Sequence, residues 1–185
     1  MRLLVIVDNK RFNVSIKKGT GNSIHQEPLE EFIQFLEKNY EVNHHVYDNI
    51  RHFIWGDNTL NGSGNIKDRM SAPQYKRKYP DKIYSIQTYF NNFLEDLIKR
   101  FITEGTSNYG SIDFLYYGNI SLGKCISSSD IMRFMKNNST NGAISIGRMS
   151  FQAWNRNLNG GLKSEKKRGH IQLKWGNLKS DIKLL

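Results

Sequence analysis

The residues best suited to chemistry in this sequence stand together in Arg11–Glu27, read RFNVSIKKGTGNSIHQE. Phe12, Val14 and Ile16 alternate with Asn13, Ser15 and Lys17, the two-residue period of a strand with an apolar back and a polar front. Such a strand delivers the Lys17 amine to the mouth of a Gly-x-Gly loop. That is the pattern of an active-site strand. The loop, Lys18–Gln26, offers backbone amides at Gly19 and Gly21 and the small polar side chains of Asn22 and Ser23, which suit an anion. It is not a Walker A loop, because no Gly-Lys-Ser/Thr follows at the required spacing. The same alternation also fits any half-buried strand that ends in a loop.

Elements on either side must position this stretch. Leu3–Val7 is apolar at every position and predicts a central strand covered on both faces. Asn9 and Lys10 fit the centre of a hairpin turn, which sets Val7 opposite Phe12, Val5 opposite Val14 and Arg2 opposite Lys17. Glu27-Pro28 predicts a helix start, with Leu29, Phe32, Ile33 and Leu36 on its buried side. Further helices are expected over Val42–Trp55, Ile83–Ile102 and Asp130–Lys136, the last capped by Ser128. His45 and His52 share a face of the first of these without a carboxylate to complete a metal site. Strands are expected over Ser111–Tyr117, Ala143–Met149 and His170–Trp175. This order predicts one α/β (α+β) domain, a mixed central sheet with a leading hairpin and flanking helices. A polar, mobile region is expected over about 56–82, ending in a basic and aromatic cluster of Lys76, Arg77, Lys78 and Lys82 with Tyr75 and Tyr79.

Bulk properties narrow the function classes. The chain has 185 residues, enough for one well-formed core. Lys and Arg number 27 against 17 Asp and Glu, giving a net charge of +10, with 38% hydrophobic residues. The mean hydropathy is -0.60. A charge of this size favours a polyanionic partner, most often nucleic acid. The lone Cys125 excludes an internal disulfide and a cysteine zinc site and points to a reducing, cytoplasmic location. No apolar run is long enough to span a membrane.

Taken with Gln-Ala-Trp-Asn-Arg at 152–156 and His-Ile-Gln-Leu-Lys-Trp-Gly at 170–176, the Ser15–Glu27 stretch resembles the PD-(D/E)XK, or restriction-endonuclease-like, nucleases. The resemblance implies a mixed sheet with flanking helices. It implies two strands carrying an Asp and an acid-x-Lys pair, Mg²⁺ held by the carboxylates, and hydrolysis of DNA in a restriction-modification or defence setting. Lys17 then stands at the motif lysine. Ser15 stands where the family usually has a carboxylate, and Glu27 is the first acid able to replace it as catalytic and metal-binding residue, ahead of Glu30 and Glu31. Asp8, at the hairpin turn, lies roughly 20 Å from Lys17 at about 3.3 Å per residue, too far to share a metal. Asn22, Ser23, His25, Arg148, Gln152, Arg156, Lys167, Arg168, Gln172 and Lys174 are the expected contacts to double-stranded DNA, with Trp154 or Trp175 as stacking groups or core. A homodimer is a further implication, since such nucleases often cut palindromes. The missing strand carboxylate leaves open a module of the same fold that binds nucleic acid without cutting it. A nucleotide site at Gly19–Ser23 is the third reading.

Overall fold

The computed structural model describes residues 2–19, 21–105, 110–154 and 162–185, the side chains of Lys163 and Ser164 apart. The chain opens with a hairpin of β1, Arg2–Val7, and β2, Lys10–Lys18. Its turn is Asp8-Asn9, with φ of 49° and 61°. A two-residue turn with both central residues left-handed matches strand twist, and Asp and Asn tolerate that conformation best after glycine. The turn therefore lies one residue earlier than expected. Val7 pairs with Lys10, Val5 with Phe12, Leu3 with Val14, and Arg2 with Ser15 rather than Lys17. The shift moves each partner by two positions, so the expected sharing of faces is kept.

Past the hairpin the sheets divide. β2 pairs in parallel with β4, Phe114–Gly118, which pairs antiparallel with β5, Gly123–Ser127. The result is a mixed four-stranded sheet of order β1-β2-β4-β5. A second four-stranded sheet, wholly antiparallel, has the order β3-β8-β7-β6. Its strands are β3, Ser23–Pro28; β6, Ile144–Ile146; β7, Met149–Ala153; and β8, His170–Lys174. The mixed α/β class with a leading hairpin is thus present, and the single central sheet is corrected to two. The glycine loop after Lys18 carries the chain out of the first sheet. Ser23–Pro28 then takes its hydrogen bonds from β8.

β1 is also corrected. It is an edge strand, and Leu3, Leu4, Val5, Ile6 and Val7 are 43%, 58%, 36%, 61% and 51% exposed. A continuous apolar run implies burial only when neighbours cover the strand, and here one edge and much of both faces are open. The faces of β2 are reversed as well. Ser15 and Lys17 lie beside Leu115 and Tyr117, which are buried in the core. Phe12, Val14 and Ile16 lie beside Phe114 and Tyr116 on an outer face where none of them is buried.

Helices pack on the inner sides of the sheets. α1 is Leu29–Asn39 and α2 is His44–Trp55, with the expected apolar residues inward. α3, Ala72–Lys78, begins with a capping box between Ser71 and Gln74, and α4, Pro80–Asn92, follows directly. The basic part of the 56–82 region is therefore helical. The long helix expected over Ile83–Ile102 is broken at Phe93, which leaves helical geometry where its ring stacks on Tyr40 at 3.8 Å between centroids. It resumes as α5, Leu94–Ile98, and a π-helical segment, Lys99–Glu104. α6 is Ser128–Asn137, capped by Ser127 rather than Ser128. α7 is Leu162–Glu165 and α8 is Leu178–Leu184. The strand expected over Ala143–Met149 is a hairpin, β6 and β7, turning at Gly147 with φ 55°. Phe32, Phe90 and Phe151 meet ring to ring at the centre of the core.

Trp175 belongs to that core and not to a stacking surface: it is fully buried. Its Nε1 donates to Asp181 Oδ2 at 2.6 Å, and Arg148 Nε donates to the same oxygen at 2.9 Å. Asp181→Ala strands the indole N–H and frees the guanidinium. We expect a loss of about 2–3 kcal/mol in urea unfolding, because hydrogen bonds to a charged group exceed neutral ones.

Candidate nucleic-acid interface

Lys17 ends β2 facing the second sheet. Its Nζ donates to the carbonyls of Ile24, at 3.0 Å, and Ser23, at 3.4 Å. It thereby ties the end of one sheet to the first strand of the other. Burial lowers the Lys17 pKa from the ordinary lysine value, and the Arg2 guanidinium lowers it further. Ser15 lies on the same face, paired with Arg2 on one side and Leu115 on the other.

The side chains of β3 alternate between two environments. Ser23 and Gln26 stand on the polar face. Gln26 Nε2 and Gln172 Nε2 each donate to Ser23 Oγ at 3.0 Å, and Gln152 Nε2 donates to Gln172 Oε1 at 3.3 Å. Gln26, Gln172 and Gln152 are direct cross-strand neighbours, so this is a continuous amide row across β3, β8 and β7. Lys174 and Ser150 form the next row. Ser23, Gln152, Gln172 and Lys174, all named from the sequence, are thus brought to one face of the second sheet, and Lys17 of the first sheet reaches the backbone at the start of β3. Asn22 is exposed beside them, and its carbonyl accepts from Trp175 N.

His25 and Glu27 point the other way, toward Leu173 and Ile171 and the core. Glu27 is not in the first turn of a helix; it is a strand residue with its side chain 2% exposed. Arg100 Nη2 donates to Glu27 Oε2 at 2.6 Å, and His25 Nε2 lies 3.2 Å from Oε1. Arg100 also lies over the Phe35 ring at 3.8 Å, and the His25 ring packs on Phe101. The carboxylate is therefore held at Oε2 by Arg100, while the buried Oε1 has His25 beside it but no hydrogen-bond partner among the described residues. It stands three strand residues beyond Ile24, about 10 Å along β3 from the carbonyl that Lys17 grips. The Mg²⁺ implied by the resemblance does not fit this arrangement, in which no carboxylate among the described residues hydrogen-bonds to the Lys17 amine. Among the described residues no group of three or more His, Cys, Asp or Glu side chains is arranged to hold a metal.

The remaining expected DNA contacts divide in the same way. Arg148 is spent on Asp181 and the Ser139 carbonyl. Arg168 is spent on Glu165, the Gly62 carbonyl and, at 3.6 Å, Asp57. Lys167 covers the half-buried Trp154 ring at 3.8 Å. Arg156 lies outside the described residues.

Free cationic groups are found on α3 and α4. Lys76, Arg77, Lys78 and Lys82 form no ion pair among the described residues, and the first three are exposed. Lys78 and Lys82 sit 5.2 and 5.9 Å from the Tyr79 ring centre, and Tyr79 packs edge-on against His52. Lys76 also lines a groove of about 750 Å³ between α4 and β6, with Tyr84, Gln87, Asn91, Thr140 and Ser145. Tyr84 is 73% exposed at its rim. At the β6 edge Gln87 grips both backbone groups of Ser145. Sequence reading noted this cluster but placed the main contact surface in the C-terminal third. Arg100 was missed as the Glu27 partner because nothing local in the sequence links residues so far apart.

Burial lowers the His52 pKa, Lys82 and Lys78 lower it further, and Asp57 opposes them. A buried neutral histidine binds fewer protons than the unfolded chain once pH falls below its ordinary value near 6.5. Stability therefore drops as pH falls from that value through the lowered folded pKa. We expect the melting temperature of the wild type to fall over that range and that of His52→Gln to fall less steeply. Equal slopes for the two proteins contradict the assignment.

Compared with known protein families and with curated proteins, the chain matches no family model and no curated protein. Among the described residues no helix is long and apolar enough to cross a membrane.

Proposed function

We propose that the chain binds nucleic acid, double-stranded DNA foremost, through the sugar-phosphate backbone and without cutting it. The observation that carries this reading is the unpaired cationic surface of α3 and α4, Lys76, Arg77, Lys78 and Lys82, beside the groove under Tyr84. In a protein of net charge +10, these cations form no ion pair among the described residues, although Asp81 lines the groove beside Lys76. Phosphates replace that missing partner, and the hydroxyl of the exposed Tyr84 at the groove can donate to a phosphate oxygen. On the second sheet the exposed Gln26 and part-exposed Gln152 supply neutral donors and acceptors, with Gln172 buried between them.

In keeping with the resemblance, the scaffold is read as restriction-endonuclease-like, with the catalytic acid lost. Two features support the loss. Ser15 replaces the strand carboxylate, and Glu27 is committed to Arg100 and His25. Lys17 then positions the β2 end against β3 and adds positive potential at the polar face; it activates no water.

Binding of labelled duplex DNA, followed by fluorescence anisotropy over a range of potassium chloride, tests the proposal. The affinity is expected to fall linearly on a log–log plot as counterions are released. Affinity independent of salt, or none at low salt, overturns it.

A further inference from the structure

The edge of β1 carries an inference independent of nucleic-acid binding. Natural edge strands protect themselves with a bulge, a proline, an inward charge or a covering loop. Among the described residues β1 has none of these along Leu3–Val7: its pairing with β2 runs without a register shift, and both its faces are apolar. The two-residue turn fixes which backbone groups look outward. Val7 and Lys10 flank the turn and bond to each other, so Val7, Val5 and Leu3 bond to β2. The N–H and C=O groups of Leu4 and Ile6 therefore face away from the sheet.

The occupant of this edge must offer a strand apolar on both faces, and β1 itself has that pattern. Two copies can meet antiparallel only in registers that match outward groups to outward groups. One such register uses the whole strand. It sets Val5 opposite Val5 on the two-fold axis, Leu4 opposite Ile6, Leu3 opposite Val7, and Arg2 opposite Asp8. The last pair joins opposite charges twice. In the single chain the Arg2 guanidinium donates to the carbonyls of Thr103, Glu104 and Gly110, and among the described residues neither Arg2 nor Asp8 forms an ion pair. Registers displaced by one pairing step set Arg2 opposite Ile6 or Asp8 opposite Leu4, and leave strand ends unpaired.

We propose that the chain forms a two-fold dimer by antiparallel pairing of β1 with β1 of a second copy, centred on Val5. The first sheet then runs unbroken through both copies in the order β5-β4-β2-β1-β1-β2-β4-β5, and no exposed apolar edge remains at β1.

Cysteine cross-linking of the full chain tests the pairing and its register, in a Cys125→Ser background that removes the exposed native thiol. Opposed Val5 Cα atoms in a pair not bonded to each other lie about 4.5 Å apart, within disulfide range. Val5→Cys is expected to give a covalent dimer on mild oxidation. Leu4→Cys is expected to give none, because its copies lie about 8 Å apart across the strands, beyond disulfide range. Sedimentation of the otherwise unmodified chain is expected to show a dimer, and Val5→Lys, which sets two ammonium groups on the axis at a side chain already part-exposed, a folded monomer by circular dichroism. A wild-type monomer at the highest soluble concentration overturns the proposal. So does a dimer that Val5→Lys leaves intact, or one that Leu4→Cys links and Val5→Cys does not, since another surface or register then makes it.

Discussion

Replacing Glu27 with alanine is expected to lower the stability of the chain by about 3–5 kcal/mol, the cost of removing one member of a buried ion pair. The carboxylate is 2% exposed and Arg100 14%, so the pair is largely shielded, although both residues line a groove with Glu31, Gln34 and Lys38. The guanidinium stays pinned over Phe35, with its charge unmet. For a chain of this length, about 2–4 °C of melting temperature accompanies each kcal/mol, so a shift of roughly 6–20 °C follows. Arg100→Ala is expected to be costly as well. The double variant loses much less than the two losses added, because the second substitution removes a group already stranded by the first. A metal-binding carboxylate behaves in the opposite way: its neutralisation relieves a buried negative charge and leaves stability unchanged or improved. A Glu27→Ala loss under about 1 kcal/mol contradicts the structural role given to the pair.

The second large effect is on binding. Changing Lys76, Arg77, Lys78 and Lys82 together to glutamine is expected to reduce the slope of log affinity against log salt by about 3–4, close to one for each phosphate contact removed. Near physiological salt the affinity falls by about a hundredfold or more. The substitutions remove the lysine contacts to the Tyr79 ring, but Tyr79 keeps its packing on His52 and Tyr75. The variant is therefore expected to unfold at nearly the wild-type temperature, within a few degrees. Arg148→Gln behaves differently, losing stability through Asp181 before it alters binding.

Much of the fold was legible where a local pattern dominates. α1 and α2 follow their i, i+3, i+4 spacing, and Ile171 and Leu173 turn to the core while Gln172 turns to the polar face, as their alternation requires. What failed depended on neighbours distant in sequence. Leu3–Val7 reads as a central strand because composition registers apolarity and not the number of adjacent strands; only the sheet order shows it at an edge. Ser23–Pro28 reads as loop and helix start because Ser, His, Gln and Glu alternate without an apolar face, and its strand character comes from pairing with β8. The candidate site divides along the same line. Ser23, Gln152, Gln172 and Lys174 reach one face of the second sheet because strand alternation is local. Glu27 and Arg148 leave the site because Arg100 and Asp181, far along the chain, bind them.

The central claim is that the chain holds nucleic acid and does not hydrolyse it. The most direct measurement incubates supercoiled plasmid with saturating protein in Mg²⁺ and, separately, in Mn²⁺, and counts nicks against protein-free controls. The account predicts a retarded but intact plasmid, with nicking no faster than in the controls. Nicking that EDTA abolishes and that Lys17→Ala removes while binding persists contradicts it, and would return Lys17 to the catalytic role its place in the sequence suggested.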